Sequence, residues 1–299
     1  MSPTVFTAHI GVSSQAFKVF LFFGVSLEVV AFCHAQACKA PDASQSISTD
    51  RPSFTNASTT VPCRTLQFEN GLNQTAVQEK RSWDLPQTVL RFGGTTKTEL
   101  RFTAPDYYWN IQTERSFATG LADLSVGVKQ QLGPIHGFDV AAMGTVSFPT
   151  GSQSVSSHGY DATLQLPWSH KLPSNWTAGG MVSVSWPTQS GQHNVTGQVT
   201  ALFDRQLAKS WNGFVEYEGS FSGHGGPQHI VDFGSTYKLT DNQQVDVRGG
   251  VGLSSAAVDH YIGAGYSFRF SLYLKPQSVS AEDQKRVDEA VKGVKLAAR

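Results

Sequence analysis

From Leu66 to Phe270 the chain alternates apolar and polar residues with a period of two. Leu66 and Phe68 share one face, with Gln67 and Glu69 on the other. Leu124, Val126 and Val128 oppose Ser125 and Lys129. Phe138, Val140, Ala142, Val146 and Phe148 oppose Asp139, Thr145 and Ser147. Val231, Phe233, Tyr237 and Leu239 oppose Asp232, Thr236 and Lys238. Successive side chains of a strand point to opposite faces, so this period predicts β-structure with one apolar and one polar face. The pattern repeats often enough for about twelve strands, most of them roughly ten residues long, against a usual length of about five or six. Ten residues suits a strand tilted across a bilayer.

Two further regularities agree. Aromatic residues recur near strand ends: Tyr160, Trp168, Trp176, Trp186, Tyr217, Tyr237 and Tyr261. Girdles at the two membrane interfaces would place them there. The connections also alternate in length. Residues 75–86, 104–121 and 149–159 read as long; Gly93 to Thr96, Gly133 to Gly137 and Thr240 to Gln243 read as short. Outer-membrane barrels pair short periplasmic turns with long external loops. The predicted fold is therefore all-β: a closed antiparallel transmembrane barrel over residues 64–270, with both ends on the periplasmic side. A soluble β-sandwich also alternates, and strand length, terminal aromatics and loop alternation weigh against it.

The flanks carry other signals. Lys18 precedes one apolar run, Val19 to Phe32, and Ala35-Gln36-Ala37 follows it. This predicts a signal peptide over residues 1–37, cleaved after Ala37; a short membrane anchor is the competing reading. Residues 38–63, rich in Ser, Thr and Pro, read as an extended, poorly ordered periplasmic lead-in. Cys38 and Cys63 would meet an oxidising compartment and are candidates for a disulfide. Lipid modification of Cys38 competes, although the residues before it lack the Leu usual three positions ahead of a lipoprotein cysteine. Residues 271–299 read as a periplasmic tail. Ser280 to Asp283 could cap a short helix there, with Val287, Ala290, Val291 and Val294 at helical spacing.

Composition removes other classes. Lys+Arg is 23 and Asp+Glu is 23, so the net charge is zero, and only 15% of residues are charged. A nucleic-acid partner would call for a basic excess. One apolar run of that length excludes a polytopic helical membrane protein.

Several blocks together resemble one family, the bacterial outer-membrane family of phenol-degradation (meta-pathway) transporters. They are Ser48-Thr49-Asp50-Arg51-Pro52-Ser53-Phe54, Thr60-Val61-Pro62, Leu66-Gln67-Phe68-Glu69-Asn70-Gly71, Thr98-Glu99-Leu100-Arg101, Gly120 to Lys129, Ser147 to Ser152 and Gly263 to Phe270. The resemblance implies an outer-membrane barrel of a Gram-negative-type bacterium, a transport role and aromatic or hydrophobic solutes. It also implies assembly by barrel-assembly machinery, which reads a closing aromatic strand; Phe270 is the candidate, although this chain continues beyond it.

No catalytic constellation emerges. His229 and His260 fall on the outward face near the external rim, on strands that are not neighbours. Ser235 shares a strand with His229 but lies some 20 Å along it. Gly151-Ser152-Gln153-Ser154-Val155 lacks the second Gly of a nucleophile elbow. His224 and His229, five apart in a predicted loop, lack a third metal ligand. We therefore expect no enzyme, no metal and no cofactor. What remains is the lumen. The residues expected to line it are Glu69, Arg91, Glu99, Arg101, Lys129, Asp139, Asp161, Asp204, Glu216, Glu218, Asp232, Lys238, Asp246, Arg248 and Arg269. They could be a selectivity lining or an ion-pair network that plugs the barrel. The function expected is passive uptake of small solutes. The alternatives are a closed structural or adhesion barrel acting through its loops and, less favoured, an outer-membrane hydrolase. Outer-membrane lipid, the assembly machinery and a small-molecule solute are the expected partners, with no nucleic acid.

Overall fold

The computed structural model describes residues 38, 45–112, 117–223 and 225–272. The strands run β1 (Thr65–Val77), β2 (Lys80–Leu85), β3 (Val89–Gly93), β4 (Thr98–Thr103), β5 (Tyr107–Gln112), β6 (Phe117–Leu121), β7 (Leu124–Ile135), β8 (Phe138–Phe148) and β9 (Asp161–Leu172). They continue with β10 (Trp176–Ser185), β11 (Thr188–Gln189), β12 (Gln192–His193), β13 (Thr196–Ala208), β14 (Trp211–Ser222), β15 (Gln228–Thr240), β16 (Gln243–Gly252) and β17 (His260–Ser271). All pairings are antiparallel. β17 pairs with β1 from Thr65↔Ser271 to Ala76↔His260, and this seam closes the sheet into a barrel. Around the wall β2 with β3, β4 with β5, and β6 with β7 each make one interrupted staff, so among the described residues twelve staves form the barrel.

The seam explains the closing aromatic. Phe270 faces Leu66 across it, and the ring of Phe68 stacks on Phe268 at 5.1 Å and on Phe270 at 6.1 Å.

The burial pattern is that of a membrane barrel and not of a sandwich. Phe233 is 59% exposed, while its neighbour Asp232 is fully buried. Val126, Leu166, Val199, Val247 and Ile262 are exposed on the outer face; Gln67, Arg91, Glu99, Lys129 and Ser267 are buried inside. A water-soluble sandwich would bury the apolar set. Placing a charge on the lipid face near the midplane costs about 2–4 kcal/mol, so the alternation fixes which face turns inward.

Several expectations need correction. The connection 75–86 is not a long loop: Gln78 and Glu79, both at positive φ, make a two-residue turn into β2. Neither is Gly or Asn, so the usual hairpin signal is missing. Residues 104–121 likewise contain β5 and β6. The three interrupted staves break at neighbouring levels, at residues 86–88, 104–106 and 122–123. Single backbone bonds carry the ladder across, Gly71 N to Pro86 O (2.6 Å), Ala104 N to Thr88 O (3.0 Å) and Ala122 N to Asp106 O (2.8 Å). Tyr261 does not join a girdle. It points inward, 5% exposed, because its strand parity matches Gly263 and Gly265. The predicted leader and the helical tail lie outside the described residues.

We call the end of the barrel that holds Thr65 and Ser271 the terminal end, and the other the loop end. At the terminal end the turns are short: residues 94–97, 136–137, 173–175, 209–210 and 241–242.

Candidate functional site: a plugged lumen

The largest departure from the sequence reading lies in the lead-in. Residues 45–63 are not a poorly ordered periplasmic segment. They rise into the lumen and return, forming a plug. Ile47 N donates to Asp241 O (2.8 Å) in a terminal-end turn. The chain then climbs to Phe54 and Thr55 and descends through Ser58 and Thr60 to Arg64, whose N–H donates to Gly93 O (2.8 Å). The inward charges that composition left without partners are what draw it in: a buried polar wall must be satisfied by something.

Asp50 and Arg51 reach opposite walls. Asp50 faces the cationic side, formed by β3, β4 and β7. Its carboxylate lies 2.5 Å from Arg101 Nη1, 3.0 Å from Lys129 Nζ and 3.5 Å from Arg91 Nη1. Arg91 in turn forks onto Glu99 with two bonds of 2.8 Å and reaches Glu69 at 2.6 Å. Arg101 also meets Glu99 at 2.7 Å. Three carboxylates (Asp50, Glu69, Glu99) thus balance three cations (Arg91, Arg101, Lys129) in a buried cluster. Burial alone would push the Asp50 carboxyl up; Arg101, Arg91 and Lys129 outweigh it and hold it well below the usual carboxylate range. The wall also grips the plug backbone. Glu69 accepts from the N–H groups of Asp50 and Arg51, Glu99 accepts from Val61 N (2.9 Å), and Lys129 donates to Ala57 O (3.0 Å).

Arg51 faces the acidic side, β14 to β17. Its Nη2 pairs with Asp246 at 3.3 Å and donates to Ala264 O at 3.1 Å, and its Nη1 donates to Gln87 at 2.5 Å. The guanidinium occupies room that only glycine leaves. A Cβ on Gly71 or on Gly265 would collide with it. Further up, Glu216 accepts from Phe54 N (2.6 Å), Thr55 N (2.8 Å) and the Thr55 hydroxyl. Arg248 donates to Pro52 O (2.8 Å) and lies over the rings of Phe54 and Tyr261, which meet edge to face at 6.0 Å. Asn56, Ser58 and Gln244 add contacts to Gln165, Ser169 and Thr49.

All fifteen residues expected to face the lumen occupy inward positions, but they have different tasks. Glu69, Arg91, Glu99, Arg101, Lys129, Glu216, Asp246 and Arg248 hold the plug. Asp232 lies beside Glu216 across β14 and β15, and Glu218 accepts from Gln198 (3.0 Å). Asp161 anchors the loop-end hairpin through Thr188 N (2.9 Å). Arg269 holds Asn242 and Gln45 at the terminal mouth. Asp139, Asp204 and Lys238 sit towards the terminal ends of their strands. Cys38 and Cys63 are disulfide-bonded, with Cα atoms 5.8 Å apart, and so tie the two ends of the plug together.

The sequence reading missed Asp50, Arg51, Phe54, Thr55 and Tyr261 as participants. A signal was present: Asp50-Arg51 is a pair of opposite charges in a Ser/Thr-rich stretch that carries no other charge between Asp42 and Arg64. The other candidates are engaged elsewhere. His229 meets Tyr217 Oη at 2.7 Å, and the Ser235 hydroxyl accepts from Trp211 Nε1 at 2.5 Å. His224 lies outside the described residues.

Comparisons with known proteins bear on this arrangement. The COG4313 outer membrane channel from Pseudomonas putida F1 superposes with a TM-score of 0.58 at 11% identity, covering 73% of this chain and 99% of that one. The NanC porin gives 0.49 at 12% identity, covering 68% and 98%. The KdgM porin gives 0.47 at 10%, covering 69% and 99%. At that identity the first of these shares the fold alone. No curated protein matches the chain. A family model described as "Putative MetA-pathway of phenol degradation" matches residues 49–270.

Proposed function

The protein belongs to this MetA-pathway phenol-degradation family, whose model spans most of the chain, and from that premise we propose that it is an outer-membrane channel for passive uptake of small aromatic or hydrophobic solutes. The terminal end then faces the periplasm and the loop end the exterior, after export by the N-terminal leader. One observation carries the reading. The lumen is crossed by a segment held mainly through ion pairs and hydrogen bonds to a polar wall, with buried Ile47 and Val61 and half-buried Phe54 its few apolar contacts. Such contacts are replaceable by water, so the plug can shift and leave a hydrated path. Lumen charges of both signs imply weak selectivity between anions and cations.

A second reading has its own support. The Asp50 cluster is so completely buried that the barrel could be permanently closed, with a structural role. Uptake by proteoliposomes separates the two. The channel reading predicts phenol entry above that of empty liposomes, proportional to the gradient and needing no energy source. Entry no faster than that of empty liposomes, from a barrel that still shifts on a gel after boiling, supports the closed barrel and overturns the channel.

A further inference from the structure

The outer wall has a feature that the channel reading does not use. The register pairs Gly213 with Ser235, Ser235 with Val247, and Val247 with Ala264. All four face outward, so they make a row of mostly small residues running across β14 to β17. The neighbouring row on the loop side holds Phe203, Val215 and Phe233, dips at Gly249 and rises again at Ile262. The row on the terminal side holds Trp211, Tyr237 and Tyr266, with Val245 between. The low row is the floor of an open furrow of about 1070 Å³, with Phe203, Val215 and Phe233 on its loop side, Arg205 and Leu207 at one end, and Leu72 beside Ala264 at the other.

The furrow is apolar along its floor. Its one hydroxyl, that of Ser235, is already engaged by Trp211 Nε1 (2.5 Å) and by Asn212 O (2.9 Å). At its terminal-side end stands Arg205, paired in register with Gly213 and with Trp176. Arg205 faces outward and is exposed, with its guanidinium 5.2 Å above the Trp176 ring. Lys209 is exposed in the adjoining turn. A charge on the lipid face is tolerated near the interface, where the side chain reaches the headgroups. The bulge between Gln206 and Ala208 brings Leu207 beside Gly213, walling the furrow next to Arg205.

An apolar trough ending in a cation has the complement of one amphiphile. We propose that the furrow binds an anionic glycerophospholipid of the periplasmic leaflet, with an acyl chain along the Gly213–Ala264 row and its phosphate on Arg205. This rests on the membrane-spanning reading, not on solute transport.

The test is native mass spectrometry of the full-length, delipidated protein titrated with phosphatidylglycerol. The expected result is a saturable adduct of one lipid per barrel, with phosphatidylcholine binding more weakly. Arg205→Ala should weaken phosphatidylglycerol about fivefold, the order of one basic residue's attraction to an anionic lipid. Ala264→Phe, which fills the row, should remove the adduct. Leu164→Phe, on the outer face of β9, should leave it unchanged. All three variants stay heat-modifiable, since outward substitutions spare the lumen. Unsaturable binding, or equal binding by wild type, Arg205→Ala and Ala264→Phe, overturns the lipid site. Protein that fractionates as soluble would instead overturn the membrane reading, and absent solute flux with the adduct retained would touch only the channel.

Discussion

Replacing Asp50 by Ala should unseat the plug. Asp50 is the plug's only carboxylate, and it faces Arg101, Lys129 and Arg91 within a cluster of three carboxylates and three cations. Its removal leaves that cluster with one uncompensated positive charge in a buried site. Deleting one partner of a buried ion pair costs about 3–5 kcal/mol. In the withdrawn state the three cations meet water, so this cost falls mainly on the seated state. At about 1.4 kcal/mol per factor of ten, the seated-to-withdrawn ratio should fall by roughly 10²–10⁴. Single-channel recording in planar bilayers reads this directly. Asp50→Ala should show long-lived conducting states that the parent visits rarely, with a shift towards anions from the extra positive charge. Adding Lys129→Met restores neutrality, so the double variant should conduct no more often than Asp50→Ala alone, a coupling that independent sites would not show. Unchanged conductance and gating in Asp50→Ala, with normal heat-shift behaviour, would refute the idea that this cluster seats the plug.

Three further outcomes follow from the same contacts. Gly265→Val puts a side chain where the Arg51 guanidinium lies, so it should open the channel as Asp50→Ala does while leaving the β1–β17 seam heat-modifiable; a parental conductance would show that Arg51 is dispensable. Cys38→Ser, or reduction of the parent, frees one end of the plug. The chain-entropy model gives a loop of that size about 3 kcal/mol, so the variant should open more often, and no difference between oxidised and reduced protein would contradict this. Acidification tests Asp50 in another way. Its carboxyl is held below the ordinary value of about 3.9, so its contribution to seating is complete above that value and is lost only as pH falls through the depressed one. Conductance should show no opening step due to Asp50 between pH 7.5 and 4.5, and a step in the parent that Asp50→Asn lacks would count against it.

The barrel was legible in the chain because period-two alternation determines which face meets lipid, and each inward charge from Glu69 to Arg269 could be assigned from parity alone. Parity says nothing about what fills the space between opposite walls. That is why Asp50 and Arg51, which lie outside the alternating stretch, read as part of a loose lead-in. Their partners, Lys129 and Asp246, are 79 and 195 residues away, and contacts at such separation leave no local signal. The same limit hid β2, β5 and β6. They are short, interrupted pieces, and the turn into β2 at Gln78 and Glu79 uses residues that do not advertise positive φ. Tyr261 was assigned by residue type to a girdle, whereas its strand parity sends it inward against Phe54.

Residues 45–63 are proposed to close a barrel that would otherwise conduct. This is tested most directly by recording the intact protein beside one in which residues 39–62 are replaced by a short Gly/Ser link and Cys38 and Cys63 by Ser. The first should show rare, small openings and the second a steady, larger conductance, both from heat-modifiable barrels. Equal conductance from the two would contradict it.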